Sequence, residues 1–223
     1  MFSAENILNT ILLIPGILLA FTFHEYAHAL VAYKLGDKTP KFQGRLTFNP
    51  IAHIDLLGFI MILFFKFGWA KPVQTNPSAF KNYYKDDLKV SVSGVIGNLI
   101  AALLSSVILA VVGIVFRKIN AGNLSDVLAT IALLSIQINC VLFILNLIPV
   151  PGFDGFHILR DLFPKAFYKI EGTLLRYQMV ILILFIFPIF GGRSIIDIIL
   201  GGPVSVLFKL FINISGLILS IFS

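Results

Sequence analysis

Long stretches without a charged side chain dominate the first two thirds of the chain. Three of them, residues 6–23, 90–116 and 127–153, are rich in Leu, Ile, Val and Phe. About 20 apolar residues cross the hydrocarbon layer of a bilayer as a helix, at a rise of about 1.5 Å per residue. The first stretch keeps a helical pattern as far as Tyr33, before Leu-Gly-Asp interrupts it. These stretches predict three membrane-spanning helices.

The C-terminal third is also apolar, but its pattern is less regular. Residues 177–192 form a shorter uncharged stretch, which is long enough for a span where the bilayer is locally thinned. Residues 195–222 are interrupted by Asp197, a Gly-Gly-Pro motif and Lys209, so either one kinked helix or a helical hairpin fits them. The whole pattern predicts an all-α polytopic membrane protein with about five to six transmembrane helices.

A different pattern follows the first predicted helix. Residues 54–65 are apolar but contain Asp55 and are too short to cross a bilayer, which favours a re-entrant or interfacial segment. Residues 41–49 alternate between polar and apolar side chains, with Gly44 at a turn-like position. We therefore expect a small β or re-entrant element here.

Composition agrees with a membrane protein and excludes other classes. Of the 223 residues, 58% are hydrophobic and 13% are charged, against about 45–50% and 25% in soluble domains. An ordinary soluble globule and a disordered chain are excluded, and the single cysteine, Cys140, cannot form an intramolecular disulfide. We expect one membrane-embedded domain over residues 1–223, with a core over about 20–160 and additional spans over about 177–222.

The distribution of Lys and Arg predicts the orientation. If the N-terminus lies outside, the cytoplasmic segments 34–89 and 160–176 contain nine and four basic residues. The outside connections then contain three, which are Arg117, Lys118 and Arg193. This is the bias expected of a multi-pass protein of the cell membrane. The net charge of +6 therefore reflects loop bias, and we expect the lipid bilayer rather than nucleic acid as a partner.

The first predicted helix contains an H-E-x-x-H motif at His24, Glu25 and His28. Residues four positions apart lie on one face of a helix, so the two imidazoles can bind one Zn²⁺. The adjacent carboxylate can take a proton from a water on the metal. The motif also occurs by chance in soluble helices, but ionisable residues inside a membrane are costly and usually functional.

A catalytic zinc site needs a third protein ligand. Asp154 is the candidate, because it follows Pro149 and Pro151, which interrupt a helix. Non-helical backbone at membrane depth is tolerated where it is buried or lines a wet cavity. The alternative interpretation is that Asp154 is an ordinary N-cap of the helix that follows.

The combination of H-E-x-x-H in the first span with N-x-x-P-x-P-x-x-D-G at residues 146–155 resembles the site-2 protease family of intramembrane zinc metalloproteases, peptidase family M50. The stretches G-R-L-T-F-N-P-I-A-H-I-D at 44–55 and F-G-W-A-K-P-V at 67–73 resemble the compact branch of that family, which lacks a PDZ domain. The resemblance covers about residues 20–160. It implies regulated intramembrane proteolysis of transmembrane protein substrates, with the active site toward the cytoplasm.

The resemblance also implies a role for individual residues. It implies one Zn²⁺ per chain held by His24, His28 and Asp154, with Glu25 as the general base. Roles are also expected for Asn146, Asn98 and His53. Asn146 matches the family asparagine that holds the substrate carbonyl or the developing oxyanion, although it could also satisfy the broken backbone. Asn98 is expected to support the site beside Gly94 and Gly97, where close helix packing is expected. His53 is expected either to bind substrate or to make a structural hydrogen bond.

A second class of function stays open from the sequence alone. A non-enzymatic metal-binding membrane protein, such as a transporter or a protease-like adaptor, would also use buried histidines. Glu25 separates the two classes, because a pure binding site does not need a base beside its ligands. The presence of Glu25 favours the protease.

Overall fold

The computed structural model describes residues 4–65, 68–117, 123–188 and 191–222. Ten α-helices and two short 3-10 helices, Pro50–His53 and Pro77–Ala79, occupy these residues. The α-helices are α1 (Ala4–Lys34), α2 (Thr39–Phe42), α3 (Leu56–Phe65), α4 (Tyr83–Arg117), α5 (Asn123–Asn146), α6 (Asp154–Leu162), α7 (Pro164–Phe167), α8 (Glu171–Arg176), α9 (Gln178–Ile186) and α10 (Ile195–Ile221).

Four of the described helices are long and apolar enough to cross a membrane. They lie within α1, α4, α5 and α10, over Ile7–Lys34, Tyr83–Phe116, Asn123–Asn146 and Ile195–Ile221. Many of their large apolar side chains are exposed, as lipid-facing positions are. The prediction of an all-α polytopic membrane protein is confirmed. The described residues supply four such helices, and the total of five to six stays a prediction.

The contacts of α10 fix its direction relative to the other spans. Leu200, near its start, packs with Ile148 and Val150, which follow the C-terminal end of α5. Leu219, near its end, lies 2.9 Å from the place that a Cβ on Gly113 of α4 would take. Therefore α10 is a single helix parallel to α4 and antiparallel to α5.

This direction bears on the predicted span over residues 177–192. The start of α10 lies at the same end of the bundle as Tyr168, which contacts Tyr84 at the start of α4, and Phe185 of α9 packs with the cluster around Leu200. A crossing by residues 177–192 is therefore not confirmed. The helix α9 is nine residues long and ends before Pro188, which has no N–H to donate. Arg193 therefore lies on the opposite side from Arg117, and Lys118 lies outside the described residues.

The expected strand over residues 41–49 does not form. The helix α2, with Pro40 in its first turn, ends at Phe42, and Gly44 turns the chain with φ +67°. Within the described residues, β pairing is limited to one bridge between Ile54 and Ala70. The apolar helix α3 follows that bridge, and its re-entrant or interfacial position stays a prediction.

Small residues let α1, α4 and α5 approach closely. A Cβ on Gly16 of α1 would lie 2.9 Å from Ser135 of α5, and one on Gly97 of α4 would lie 2.5 Å from the Phe23 carbonyl oxygen. Such close backbone approach is typical of helix packing in membranes. Cys140 is fully buried in the adjacent apolar core, as expected of a small core residue.

Candidate metal centre

Three side chains from two helices converge on one point inside the bundle. The Nε2 atoms of His24 and His28 on α1 lie 3.1 Å apart. The Asp154 carboxylate, at the start of α6, lies 3.4 Å from His24 Nε2 and 3.3 Å from His28 Nε2. One donor atom from each residue lies within 4.8 Å of the others. The structure therefore brings together the three residues that the sequence predicted as ligands.

The break between α5 and α6 positions Asp154. The chain leaves α5 at Asn146, and Gly152, at φ +103°, turns it back toward α1. Gly155 allows a close approach, because a Cβ there would lie 2.4 Å from the Ile148 carbonyl oxygen. The N-cap of α6 is Phe153, so the alternative interpretation of Asp154 as the N-cap is wrong.

Each imidazole makes a hydrogen bond through Nδ1, the ring nitrogen away from Asp154, and this bond decides which nitrogen keeps a lone pair. His28 Nδ1 lies 2.8 Å from the Val90 carbonyl oxygen, which can only accept, so Nδ1 carries the proton. His24 Nδ1 lies 2.9 Å from Asn98 Oδ1, which also accepts. In neutral imidazoles both Nε2 atoms then present a lone pair toward Asp154.

This donor set fits a cation. Two lone pairs and a carboxylate repel one another unless a positive charge lies between them. Asp154 Oδ2 is buried and accepts no hydrogen bond from the described residues. Two imidazoles and one carboxylate are a known ligand set for catalytic Zn²⁺, and partners on Nδ1 are typical of metal-bound histidine.

Glu25 lies beside these residues but has partners of its own. Its side chain is buried, and Oε2 accepts the Val73 backbone N–H at 2.7 Å. The Arg45 guanidinium lies 3.8 Å from the same oxygen and donates to the carbonyl oxygens of Ala52 and Lys71. The pKa of Arg45 is lowered by burial, and the nearby Glu25 carboxylate offsets part of that shift. The carboxylate is therefore held beside the centre by a backbone donor and a cation.

A cavity of about 550 Å³ joins the predicted residues. His24, Glu25, His28 and Asp154 line it, and Asn146, the last residue of α5, lies in the same wall. The non-helical stretch around residues 68–75 forms another wall. The arrangement places donors for a metal, a carboxylate base and an amide around one space large enough for a segment of polypeptide.

The two supporting residues have different positions. Asn98 is fully buried and contacts His24 directly. His53 is fully buried, donates from Nε2 to the Thr47 carbonyl oxygen at 2.8 Å, and is absent from the described residues that line the cavity. Burial is the main cause that lowers the pKa of His53. This contact fits the structural interpretation of His53, and a role in substrate binding stays a prediction.

Sequence reasoning missed Asn139 and the role of Arg45. Asn139 is a fully buried amide of α5 that contacts Asn98. Its only signal was an amide inside an apolar stretch, which carries no motif. Arg45 belongs to a motif that was noted, but its contact with Glu25 joins residues distant in sequence.

Comparison with known proteins agrees with this geometry. The model of the family described as peptidase family M50 matches residues 12–187. A Bacillus subtilis protein named "Putative zinc metalloprotease YwhC" is 38% identical over 200 residues, which cover 89% of this chain and 90% of the relative. No solved structure matches the chain.

More distant relatives carry a similar name. "Putative zinc metalloprotease Rip2" of Mycobacterium tuberculosis is 25% identical over 82% of this chain and 69% of its own length. Rip2 of Mycolicibacterium smegmatis is 28% identical over 67% of this chain and 56% of its own length. The family model covers most of the chain, and the Bacillus relative matches it almost end to end. The chain therefore belongs to peptidase family M50, as a multi-pass membrane zinc metalloprotease.

Proposed function

We propose that the chain is an intramembrane endopeptidase that cleaves transmembrane protein substrates, as in regulated intramembrane proteolysis. One observation carries the proposal, which is the convergence of His24, His28 and Asp154 beside Glu25 inside a bundle of membrane-spanning helices. His24, His28 and Asp154 would hold one Zn²⁺, and the domain comprises residues 1–223. The donor set supports this assignment, because a Zn²⁺ ion between the three groups would relieve the repulsion of their lone pairs.

The chemistry divides between the metal and the chain. When bound, Zn²⁺ supplies a Lewis acid that polarises a carbonyl and makes a water acidic. Glu25 accepts the proton of the attacking water and delivers it to the leaving nitrogen. Its contacts with the Val73 N–H and Arg45 keep the carboxylate oriented before the reaction. The adjacent position in sequence lets Glu25 reach the water without joining the ligands.

Asn146 and the walls of the cavity bind the substrate. The Asn146 amide can donate to the substrate carbonyl as negative charge develops on its oxygen. A helix hides its carbonyls in internal hydrogen bonds, so the substrate segment has to be extended at the cleaved bond. The stretch around residues 68–75 contains no helix and lines the cavity, so an extended substrate segment could lie beside it.

We further propose that the protein lies in the cell membrane with the active site toward the cytoplasm. The bundle end that carries Asp154 also carries the segments rich in Lys and Arg, and Arg193 adds to that side. This distribution supports a cytoplasmic position for that end. The four spans then place both the start of α1 and the end of α10 outside.

The substitution Glu25→Gln tests the enzymatic part of the proposal. It keeps the size of the side chain and removes the base. We expect zinc to stay near one per chain, while cleavage of a single-span substrate in detergent falls by at least about 100-fold. The matched control is Glu171→Gln in α8, away from the cavity, which should leave both quantities unchanged. Near wild-type cleavage by Glu25→Gln would contradict the mechanism, and loss of zinc would make Glu25 a ligand.

The orientation has its own test. In a Cys140→Ala background, Lys81→Cys and Leu124→Cys place exposed thiols at opposite ends of the bundle. An impermeant thiol reagent applied to intact cells should label Leu124→Cys and not Lys81→Cys. Labelling of Lys81→Cys alone would reverse the orientation.

A further inference from the structure

Two buried amides connect His24 to the centre of the bundle. Asn98 of α4 and Asn139 of α5 are both fully buried. Asn98 Nδ2 lies 3.2 Å from the Ala20 carbonyl oxygen of α1 and 3.2 Å from Asn139 Oδ1. Asn139 Nδ2 lies 2.8 Å from the Ser135 carbonyl oxygen. The three long helices α1, α4 and α5 therefore meet at one continuous chain of hydrogen bonds that ends on a metal-binding imidazole.

The direction of this chain is fixed by its backbone ends. The Ser135 and Ala20 carbonyl oxygens can only accept, so both amide nitrogens have to face them. Asn139 then presents its oxygen to Asn98, and Asn98 presents its oxygen to His24. An oxygen in that place accepts only from a protonated Nδ1, which leaves the His24 Nε2 lone pair for the metal.

The other histidine needs no such support. The His28 Nδ1 partner is the Val90 backbone carbonyl, whose orientation α4 itself fixes. The His24 partner is a side-chain amide, which could rotate by 180° and present its nitrogen instead. The Ala20 carbonyl oxygen and the Asn139 side-chain oxygen both lie 3.2 Å from the Asn98 nitrogen, so Asn139 adds a second acceptor that holds the Asn98 oxygen toward His24.

We propose that Asn139 is a positioning residue for the zinc ligand His24 and acts through the amide of Asn98. The inference rests on the proposed function in one respect, which is that His24 holds the metal. It extends that function to a residue of α5 that contacts neither metal nor substrate. A simple contribution to helix association is the competing account, because buried amides also join membrane helices.

Metal affinity and metal geometry separate the two accounts. Asn98→Leu and Asn139→Leu replace each amide with an apolar side chain of the same branching, and Ser106→Ala is the control. Ser106 is fully buried and donates within α4 to the Ala102 carbonyl oxygen. Zinc affinity is measured in detergent by competition with a chelator, and the absorption bands of the Co²⁺-substituted protein report the geometry of the centre.

The expected losses are graded. Asn98→Leu should weaken zinc binding by about 10- to 100-fold, as is usual when the partner of a metal-bound histidine is lost. Asn139→Leu should weaken it by a smaller factor in the same direction and should shift the Co²⁺ bands. Asn139→Asp should keep both near the wild-type values, because burial with no basic side chain in contact favours the neutral carboxyl group, which can donate and accept as the amide does. Ser106→Ala should match the wild type.

The inference is overturned if Asn139→Leu lowers thermal stability but leaves zinc affinity and the Co²⁺ bands unchanged. If Asn139→Leu does not fold, Asn139→Ser provides the same test. A serine can bond within its own helix, as Ser135 does, but is too short to reach Asn98. Wild-type protein without zinc, or full zinc occupancy in His24→Ala, would instead contradict the proposed metal centre. Zinc lost by His24→Ala but unaffected by Asn139→Leu would contradict this inference alone.

Discussion

The junction of α1, α4 and α5 differs from the contact of α10 with the same bundle. The junction contains the amides of Asn98 and Asn139 and the close approach at Gly97. The contact of α10 is made by large apolar side chains such as Leu200 and Phe211. Both regions are buried in spans of similar hydropathy, but their interior chemistry is different.

The difference shows what each kind of contact provides in a membrane. Contacts between apolar side chains do little to fix the relative position of two helices in a membrane, because lipid tails offer an equally apolar surface. Glycine contacts and hydrogen bonds hold two helices at one distance and one rotation. The junction uses them because the metal-binding histidines are on α1, their partners are on α4, and a small rotation would separate the two.

The sharpest test of this comparison makes the same substitution in both regions. A Cβ on Gly94 of α4 would lie 2.3 Å from His28 Nε2 and 2.8 Å from His24 Cε1, whereas a Cβ on Gly216 of α10 would meet nothing within 4 Å. Gly94→Ala should displace both imidazoles and abolish zinc binding and cleavage. Gly216→Ala should keep both and raise stability by about 0.5–1 kcal/mol, as alanine does in a helix interior. Zinc content and thermal unfolding in detergent measure the pair.

If Gly94→Ala and Gly216→Ala changed zinc content and stability equally, the two regions would not differ in what their contacts provide. Full zinc occupancy in Gly94→Ala would show that α1 and α4 can separate without cost to the centre.

A second, smaller effect extends the comparison to the segment after α1. Arg45 holds two carbonyl oxygens and lies beside Glu25, so Arg45→Lys keeps the charge but cannot make both contacts. The loss of one hydrogen bond to a charged group, about 1.5–3 kcal/mol, corresponds to a decrease in kcat/KM of about 10- to 100-fold. We expect this decrease with zinc still bound, measured on the same single-span substrate. Loss of zinc would instead assign Arg45 to the integrity of the whole bundle.

The smallest effect lies in the α10 region. Ser194 caps α10, where its Oγ accepts the Asp197 N–H at 3.1 Å and its own N–H donates to the Asp197 carboxylate at 2.9 Å. Ser194→Ala should lower the free energy of unfolding by about 0.5–2 kcal/mol. Zinc content and cleavage should not change, because no polar contact of α10 described above reaches the centre. A decrease in zinc content would show that the cap of α10 affects the metal centre.

The sequence predicted the parts of the site that follow from local spacing. The positions of His24, Glu25 and His28 on one helix depend only on helix geometry, and Asp154 follows a proline break that the sequence displays. Asn139 could not be predicted in the same way. Its role depends on the register between α4 and α5, which hydropathy does not encode.

The fold was predicted less completely after α5, and the reason is physical. An uncharged stretch indicates that a segment can lie in lipid, but it does not show where its helix ends. Residues 177–192 contain Pro188, Gly191 and Gly192, and the two glycines adopt φ +57° and +82°. Those backbone angles, and the packing of Leu200 at the end of α5, decided on which side Arg193 lies.

The contact of α1 with α4 also determines the direction from which a substrate can arrive. A Cβ on Gly97 would lie 2.5 Å from the Phe23 carbonyl oxygen, and one on Gly94 would meet the ligands themselves. A polypeptide travelling through the lipid cannot pass along this seam without separating His24 from Asn98. Substitutions that force this seam apart are therefore expected to disturb the metal ligands before they admit a substrate.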